Sequence, residues 1–209
     1  MKYALFLLFV LSISCFAQET GFSLMKDVSA FKSKLHETQT RTNTVKSQFV
    51  QEKHLSFMED KVVSKGLFFL KKQGKMRIEY TSPFAYLVIF NGDKLYIKEG
   101  KKTTKIDTRT DKSFRQLNEV MTHSLNGEID QIKGFQAKYL QSKDFILVEL
   151  SPDQSEMKEL FEKIKLYLQP QTYQVAKLDL IEKSGDITKM KFEQTQTNVP
   201  IPDETFVLH

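Results

Sequence analysis

Tryptophan is absent from this chain of 209 residues, and cysteine occurs once, at position 15. A lone thiol makes no internal disulfide and no cysteine-based zinc site. Glycine (8) and proline (5) are scarce, too few for a fold organised around glycine-rich loops that cradle phosphates. The sequence contains no Gly-x-Ser-x-Gly elbow, Walker loop or dinucleotide fingerprint. Its four histidines, His36, His54, His123 and His209, stand far apart without ligand spacing, so neither a metal nor another cofactor is expected. Carboxylates such as Glu79, Asp107, Asp111 and Asp144 mark no acid/base pair in a chain with 26 of them, and no enzymatic activity is expected.

Charge of one sign is never concentrated. The 31 basic and 26 acidic residues are interleaved, with lysine pairs such as Lys71-Lys72 and Lys101-Lys102 among acids. That pattern fits solvated strand faces, or a weak attraction to anionic membrane surfaces, and argues against a nucleic-acid partner.

What is present is phenylalanine, 17 of it, in a chain 40% hydrophobic and 27% charged. This is the composition of a folded globular protein with a Phe-filled interior, and the length fits one domain. Residues 1–17 have the form of a cleavable secretory signal: Lys2, an apolar run from Tyr3 to Leu11, then small residues ending at Ala17. Ser12 and Ser14 interrupt the run too early for a membrane-spanning helix. A lipidated Cys15 is the competing reading, although Ser12 stands where a lipobox has Leu or a similar residue. The expectation is an exported, thiol-free domain over residues 18–209.

Between residues 22 and 43, Leu24, Val28, Phe31 and Leu35 recur at helical spacing and form one apolar stripe. The period then changes to two. Val45, Phe49 and Leu55 mark the parity of a first strand, and further strands are expected at 66–72, 75–81, 86–91 and 94–99, separated by Gln73-Gly74, Ser82-Pro83 and the hairpin signal Asn91-Gly92-Asp93. A second helix over 110–126 carries Phe114, Leu117, Met121 and Leu125 on one face. Further strands are expected at 135–141, 144–150, 163–169, 173–183 and 187–195, with a short helix near 155–161, and the tail reads as a bulged edge strand around Phe206-Val207-Leu208. The fold class is therefore mainly β with helices (α+β). About ten antiparallel strands in one sheet must curl or close, and the two apolar helix stripes have the hollow of the curl to cover. On 66–81, Phe68, Leu70, Met76, Ile78 and Tyr80 share one sheet face, with Phe69, Arg77 and Glu79 on the other.

The segments TVKSQFVQEKH, GLFFLKKQGKMRIEYTSP and YLVIFNGDKLYIK resemble the outer-membrane lipoprotein carrier family, LolA. Phe49-Val50-Gln51 stands for its Phe-x-Gln segment, residues 66–72 for its Gly-x-Leu-x-Val-x-Arg-Pro strand, 76–83 for its aromatic strand ending near Tyr-x-x-Pro, and Asn91-Gly92 for its hairpin. The run from Leu150 to Phe192 and the closing Ile201-Pro202 to Phe206 continue the likeness in the same order. The resemblance implies an incomplete β-barrel whose concave face is closed by a helical lid, and a monomeric, non-enzymatic periplasmic carrier. Such a carrier takes acylated lipoproteins from an ATP-driven inner-membrane release complex to an outer-membrane acceptor or the membrane surface.

By the match, the acyl-binding wall comprises Phe49, Phe68, Leu70, Met76, Ile78, Leu87, Ile89, Leu95 and Ile97. The lid stripes are Leu24, Val28, Phe31, Leu35, Phe114, Leu117, Met121 and Leu125. The family's Arg-Pro is Lys72-Gln73 here, which implies a lid latch at Lys72 that keeps the charge but lacks the arginine's planar fork. Met76 stands where the family has an exposed aromatic that engages the inner-membrane complex. An outer-membrane acceptor, a carrier of another acylated lipid or pigment precursor, and a secreted sensor or interaction domain of the same fold stay open as alternatives.

Overall fold

Twelve strands form one sheet in a computed structural model that describes residues 21–72, 74–110, 115, 123, 129 and 132–208. In chain order the elements are β1 (Ser23–Leu24), α1 (Val28–Arg41), β2 (Thr44–His54), β3 (Val62–Lys71), β4 (Lys75–Ser82), β5 (Tyr86–Asn91), β6 (Lys94–Glu99), β7 (Lys102–Asp107), β8 (Phe135–Gln141), β9 (Ile146–Pro152), α2 (Ser155–Leu160), β10 (Phe161–Leu168), β11 (Val175–Glu182) and β12 (Ile187–Thr197), followed by a 3-10 turn, Asp203–Phe206. The sheet runs β1-β8-β9-β10-β11-β12-β2-β3-β4-β5-β6-β7. Every pairing is antiparallel, and β1 and β7 are the two edges. The sheet curls into an open barrel with a helix against one face, which is the expected fold class. Two short strands exceed the expected ten: β1, two residues long, and β7, whose sequence KTTKID carries little apolar signal.

Local chemistry explains where the elements begin. The helix starts at Val28 because the Asp27 carboxylate accepts from the Ala30 amide at 2.9 Å, an N-cap that satisfies one of the free donors of the first turn. Residues before the cap are extended. Leu24, expected in the helix stripe, instead sits in β1 beside Leu140 and is exposed. Between β5 and β6 the chain turns in two residues, Gly92-Asp93, with Gly92 in the left-handed region at φ 58°, the geometry that hairpin turns demand and glycine supplies without strain.

Register then decides which face each side chain takes. In the β3–β4 ladder Phe68 opposes Ile78 and Leu70 opposes Met76. Met76 and Ile78 in turn oppose Phe90 and Val88, which oppose Leu95 and Ile97. These residues form the face covered by α1, here called the inner face. Gly66 lies on it beneath the Phe49 ring: a Cβ at this position would come 2.1 Å from the Glu79 carbonyl oxygen and 2.7 Å from the ring. Only glycine lets Phe49 lie flat on the strand.

The opposite, outer face has its own small core. Ile89, Ile201 and Phe206 are buried together, with Phe69, Leu87, Tyr96 and Val199 against them. The tail is therefore a strap across the back of the sheet, not the edge strand its sequence suggests. Its prolines and 3-10 turn keep it out of the ladder, and Lys71 Nζ donates to the Ile201 carbonyl at 3.1 Å and to Asp203 Oδ1 at 2.5 Å. Lys75 Nζ lies 3.0 Å from Asp203 Oδ2, Arg77 Nη1 donates to the Thr205 carbonyl at 3.1 Å, and Asn91 Nδ2 to that of Phe206 at 3.2 Å.

Candidate functional site

Apolar side chains of both halves of the chain meet on the inner face. Phe49, Phe68, Met76, Phe90 and Leu95 from β2–β6 join Val148, Leu150, Ile164, Leu166, Leu168, Leu178 and Met190 from β9–β12 in one continuous cluster. Leu70, Ile78 and Ile97 are half-buried against it. Helix α1 covers this face with Phe31 and Leu35, 5% and 1% exposed, and with half-buried Val28. Phe31 meets Tyr139 and Tyr173, with ring centroids 5.8 and 6.0 Å away. Phe49 stacks edge-on against Tyr80 at 5.1 Å and Phe68 against Phe192 at 5.3 Å.

Seven of the nine expected wall residues are thus brought together, and two are not. Leu87 and Ile89 lie on the outer face, opposite Glu79 and Arg77. The run Tyr86 to Phe90 is apolar at every position and so carries no alternation. The two-residue turn pairs Phe90 with Leu95, which puts Val88 and Phe90 inside and sends their neighbours outward. Val88, Phe90 and Ile106 are inner-face residues that sequence reasoning missed, as is the whole contribution of β8–β12. The alternation Ile164-x-Leu166-x-Leu168 was available to find the latter. Phe114, Leu117, Met121 and Leu125 lie outside the described residues.

The two ends of α1 are held unequally. At its C-terminal end, Asn198 Nδ2 donates to the Arg41 carbonyl at 3.0 Å while Asn198 Oδ1 accepts from the Asn43 amide at 2.7 Å. Asn198 can do both because it sits at φ 58°, in the left-handed region that asparagine tolerates. Lys72 joins this end: its amide donates to the Asn43 carbonyl at 2.9 Å and its Nζ donates to the carbonyl of Thr40, in the last turn of α1. The N-terminal end has the two-residue strand β1 with a long Ser23 Oγ bond to the Gln141 carbonyl at 3.4 Å, a backbone bond from Met25 to Tyr139 at 3.1 Å, and Lys32 Nζ 5.0 Å from the Tyr139 ring centroid. In the last turn of the helix, the buried amide of Gln39 donates to the Tyr173 carbonyl at 3.3 Å.

Polar groups on the inner face gather near the open ends of β2, β4 and β5. Tyr80 Oη donates to Gln51 Oε1 at 2.8 Å, and burial pushes its phenol up to about 12. Tyr86 packs edge-on against Tyr80 at 5.6 Å, and its pKa is also raised by burial. Of the carboxylates noted in the sequence, Glu79 bonds Arg77 at 2.9 Å, Asp107 is held down at about 2 by its hydrogen bonds from Arg109, and Asp111 lies outside the described residues. Among the described residues no three His, Cys, Asp or Glu side chains converge to hold a metal ion. No helix among them is long and apolar enough to cross a membrane.

Residues 40–209 match the profile of the outer membrane lipoprotein carrier protein LolA. The chain belongs to the LolA family. An outer-membrane lipoprotein carrier protein of Dechloromonas aromatica is 25% identical over 198 residues, spanning 94% of this chain and 90% of the relative. Among solved structures, the LolA superfamily protein NE2245 of Nitrosomonas europaea matches 86% of this chain and 96% of its own at 10% identity and a TM-score of 0.45. The Pseudomonas aeruginosa MucA/MucB complex contains a chain matched over 88% of this one and 61% of its own, at 13% identity and a TM-score of 0.49. The LolA match takes in β2–β12, so it includes the sheet apart from edge strand β1 and, from α1, only the end pinned by Asn198 and Lys72.

Proposed function

We propose that this protein is a periplasmic carrier that shields the acyl chains of lipoproteins between the inner and outer membranes. It is exported by the signal at residues 1–17 and acts as a monomer without cofactor or catalysis. It takes cargo from an ATP-driven release complex and gives it up to an outer-membrane acceptor or to the membrane itself. Membership of the lipoprotein carrier family supports this reading. The observation that carries it is the unequal attachment of α1 over one continuous apolar face.

Magnitudes favour an opening helix. Phe31 and Leu35 are its fully buried apolar side chains, and exposing two such groups costs about 3–6 kcal/mol. One long acyl chain left in water costs on the order of 10 kcal/mol, at roughly 0.8 kcal/mol per methylene. Acyl chains can therefore displace the helix and take its place against the sheet. Phenylalanine and methionine suit such a wall, because they are adaptable and have no polar atom that would demand a fixed partner. Release needs the same lack of direction. Lys72 acts in this scheme as an anchor of the hinged end: it binds one carbonyl of α1 where a guanidinium could bind two.

Photo-crosslinking separates the two faces. With a photoreactive residue in place of Leu35, Met76 or Phe206, lipoprotein released from spheroplasts should be captured through the first two positions and not the third. Capture through Phe206 alone, or none from any position while lipoprotein is released, would overturn the assignment.

A further inference from the structure

Eight large apolar side chains are exposed among the described residues, and six of them lie at one end of the sheet. Phe57 and Met58 are in the β2–β3 loop, Val62 and Val63 open β3, Phe84 is in the β4–β5 loop and Leu160 precedes β10. The registers Ile187 to His54, Lys65 to Ser82, Tyr86 to Glu99 and Phe161 to Glu182 place all these positions along the same rim. Phe84 and Phe57 are 81% and 79% exposed. Single exposed apolar residues need no explanation, whereas six on one rim, two of them phenylalanines at loop tips, do.

The arrangement suits a lipid surface better than a protein. The two loop tips are separated by two strand spacings, about 10 Å, and each carries a phenylalanine about four-fifths exposed. Together the six side chains offer on the order of 500 Å² in separate islands, less than the roughly 800 Å² per partner of a stable protein interface. A bilayer interface accepts apolar side chains one at a time and requires no complementary shape. The residues Ser82-Pro83-Phe84-Ala85 carry no charge, and exposed Lys65, Lys101 and Lys102 lie on the neighbouring strand and turn with Glu99 as the acid beside them. The Phe57 loop continues into Glu59 and Asp60, which favours shallower contact there.

We infer that this rim docks on the phospholipid bilayer, with Phe84 inserted at the acyl boundary, Phe57 and Met58 touching beside it, and the three lysines against lipid phosphates. The same end of the inner face carries the Tyr80–Gln51 hydrogen bond and Tyr86, so docking presents the polar-tipped mouth of the apolar face to the membrane. The inference deepens the carrier reading and rests on it for its purpose, not for its geometry.

Flotation with vesicles of phosphatidylethanolamine and phosphatidylglycerol (3:1) tests it on the exported chain. The unaltered protein should float. Phe84→Asp should lower partitioning at least about tenfold, Phe57→Asp about threefold, and Val207→Asp, at the other end, should leave it unchanged. Since the chain has no tryptophan, Phe84→Trp adds a single reporter whose emission should shift to the blue on vesicles and be quenched by brominated lipid. The inference is overturned by any of three results: no flotation of the unaltered chain, binding abolished by 0.5 M salt yet indifferent to Phe84→Asp, or binding only to native outer membranes that have not been treated with protease. Titration with a triacylated lipopeptide in solution keeps the two readings apart. Lipopeptide binding retained by Phe84→Asp supports both, and vesicle binding without lipopeptide binding by the unaltered chain leaves the rim standing while the carrier reading falls.

Discussion

The two faces of the sheet are covered by different means. Over the inner face lies a helix whose buried contacts are almost wholly apolar, secured at its C-terminal end by Asn198 and Lys72. Across the outer face lies the C-terminal strap, tied down by Lys71, Lys75, Arg77 and Asn91 along its length as well as by buried Ile201 and Phe206. Directional bonds every few residues fix the strap in one place. Ahead of its last turn, where Gln39 holds Tyr173, the helix is buried through Val28, Phe31 and Leu35, whose apolar contacts can be exchanged for another apolar surface. The lesson is that burial by itself does not separate a permanent cover from a removable one; the distribution of polar ties does.

Four substitutions and one condition should sharpen this contrast. The largest effect is expected from Gly66→Val, which strikes the sheet both covers share. Its added carbons collide with the Glu79 backbone and the Phe49 ring, and a loss of at least about 4 kcal/mol is expected. Urea unfolding would register this as a collapsed or missing transition. Next is Phe206→Ala, which empties a fully buried site under a strap that its ties prevent from settling, at a cost of about 3–5 kcal/mol. Leu35→Ala removes an equally buried side chain but should cost only about 2 kcal/mol, because a helix held at one end can sink into the gap. Equal losses at the two sites would erase the distinction between the covers.

Smaller still, Lys72→Leu removes one charged hydrogen bond to the hinged end and should weaken it by about 1 kcal/mol. Amide exchange in α1 should then quicken about fivefold while the strap is unaffected. The last expectation concerns acid. Lys71 and Lys75 hydrogen-bond Asp203 and hold its carboxyl below the usual carboxylate range. A group whose folded pKa is lowered stabilises above its unfolded value, about 3.9, and loses that contribution as pH falls through the folded value. Protection at 203–207, taken against the intrinsic exchange rate at each pH, should therefore fall on acidification before protection in α1 does, and the opposite order would count against the ionic tie.

Much of this architecture is legible in the sequence, and the exceptions have physical causes. Met76 and Ile78 alternate with Arg77 and Glu79, and pairing across the short turn to the preceding strand carries that parity to Leu70 and Phe68, so the four fall on one face. Leu87 and Ile89 were misplaced because an unbroken apolar run fits either register, and the Gly92-Asp93 turn chooses between them. Leu24 continues the helical spacing of Val28 and Phe31, yet the Asp27 cap ends that spacing one turn early. The strap gave no periodic signal, since its burial depends on Lys71, Lys75, Arg77 and Asn91, residues more than a hundred positions away. The rim of exposed phenylalanines was equally hidden, for only the registers bring the separate loops to one end.

The strand order has a consequence for how the molecule is made. The seam that joins the halves, β12 against β2, brings Ser47 and Thr195 into hydrogen-bond contact across 148 positions of sequence. Pairing over such a distance is slow, because a long loop must close before any contact rewards it. A chain emerging N-terminus first holds β2–β7 with an uncovered flank until the last strand arrives, so the apolar hollow comes into being only after synthesis of the domain is nearly complete.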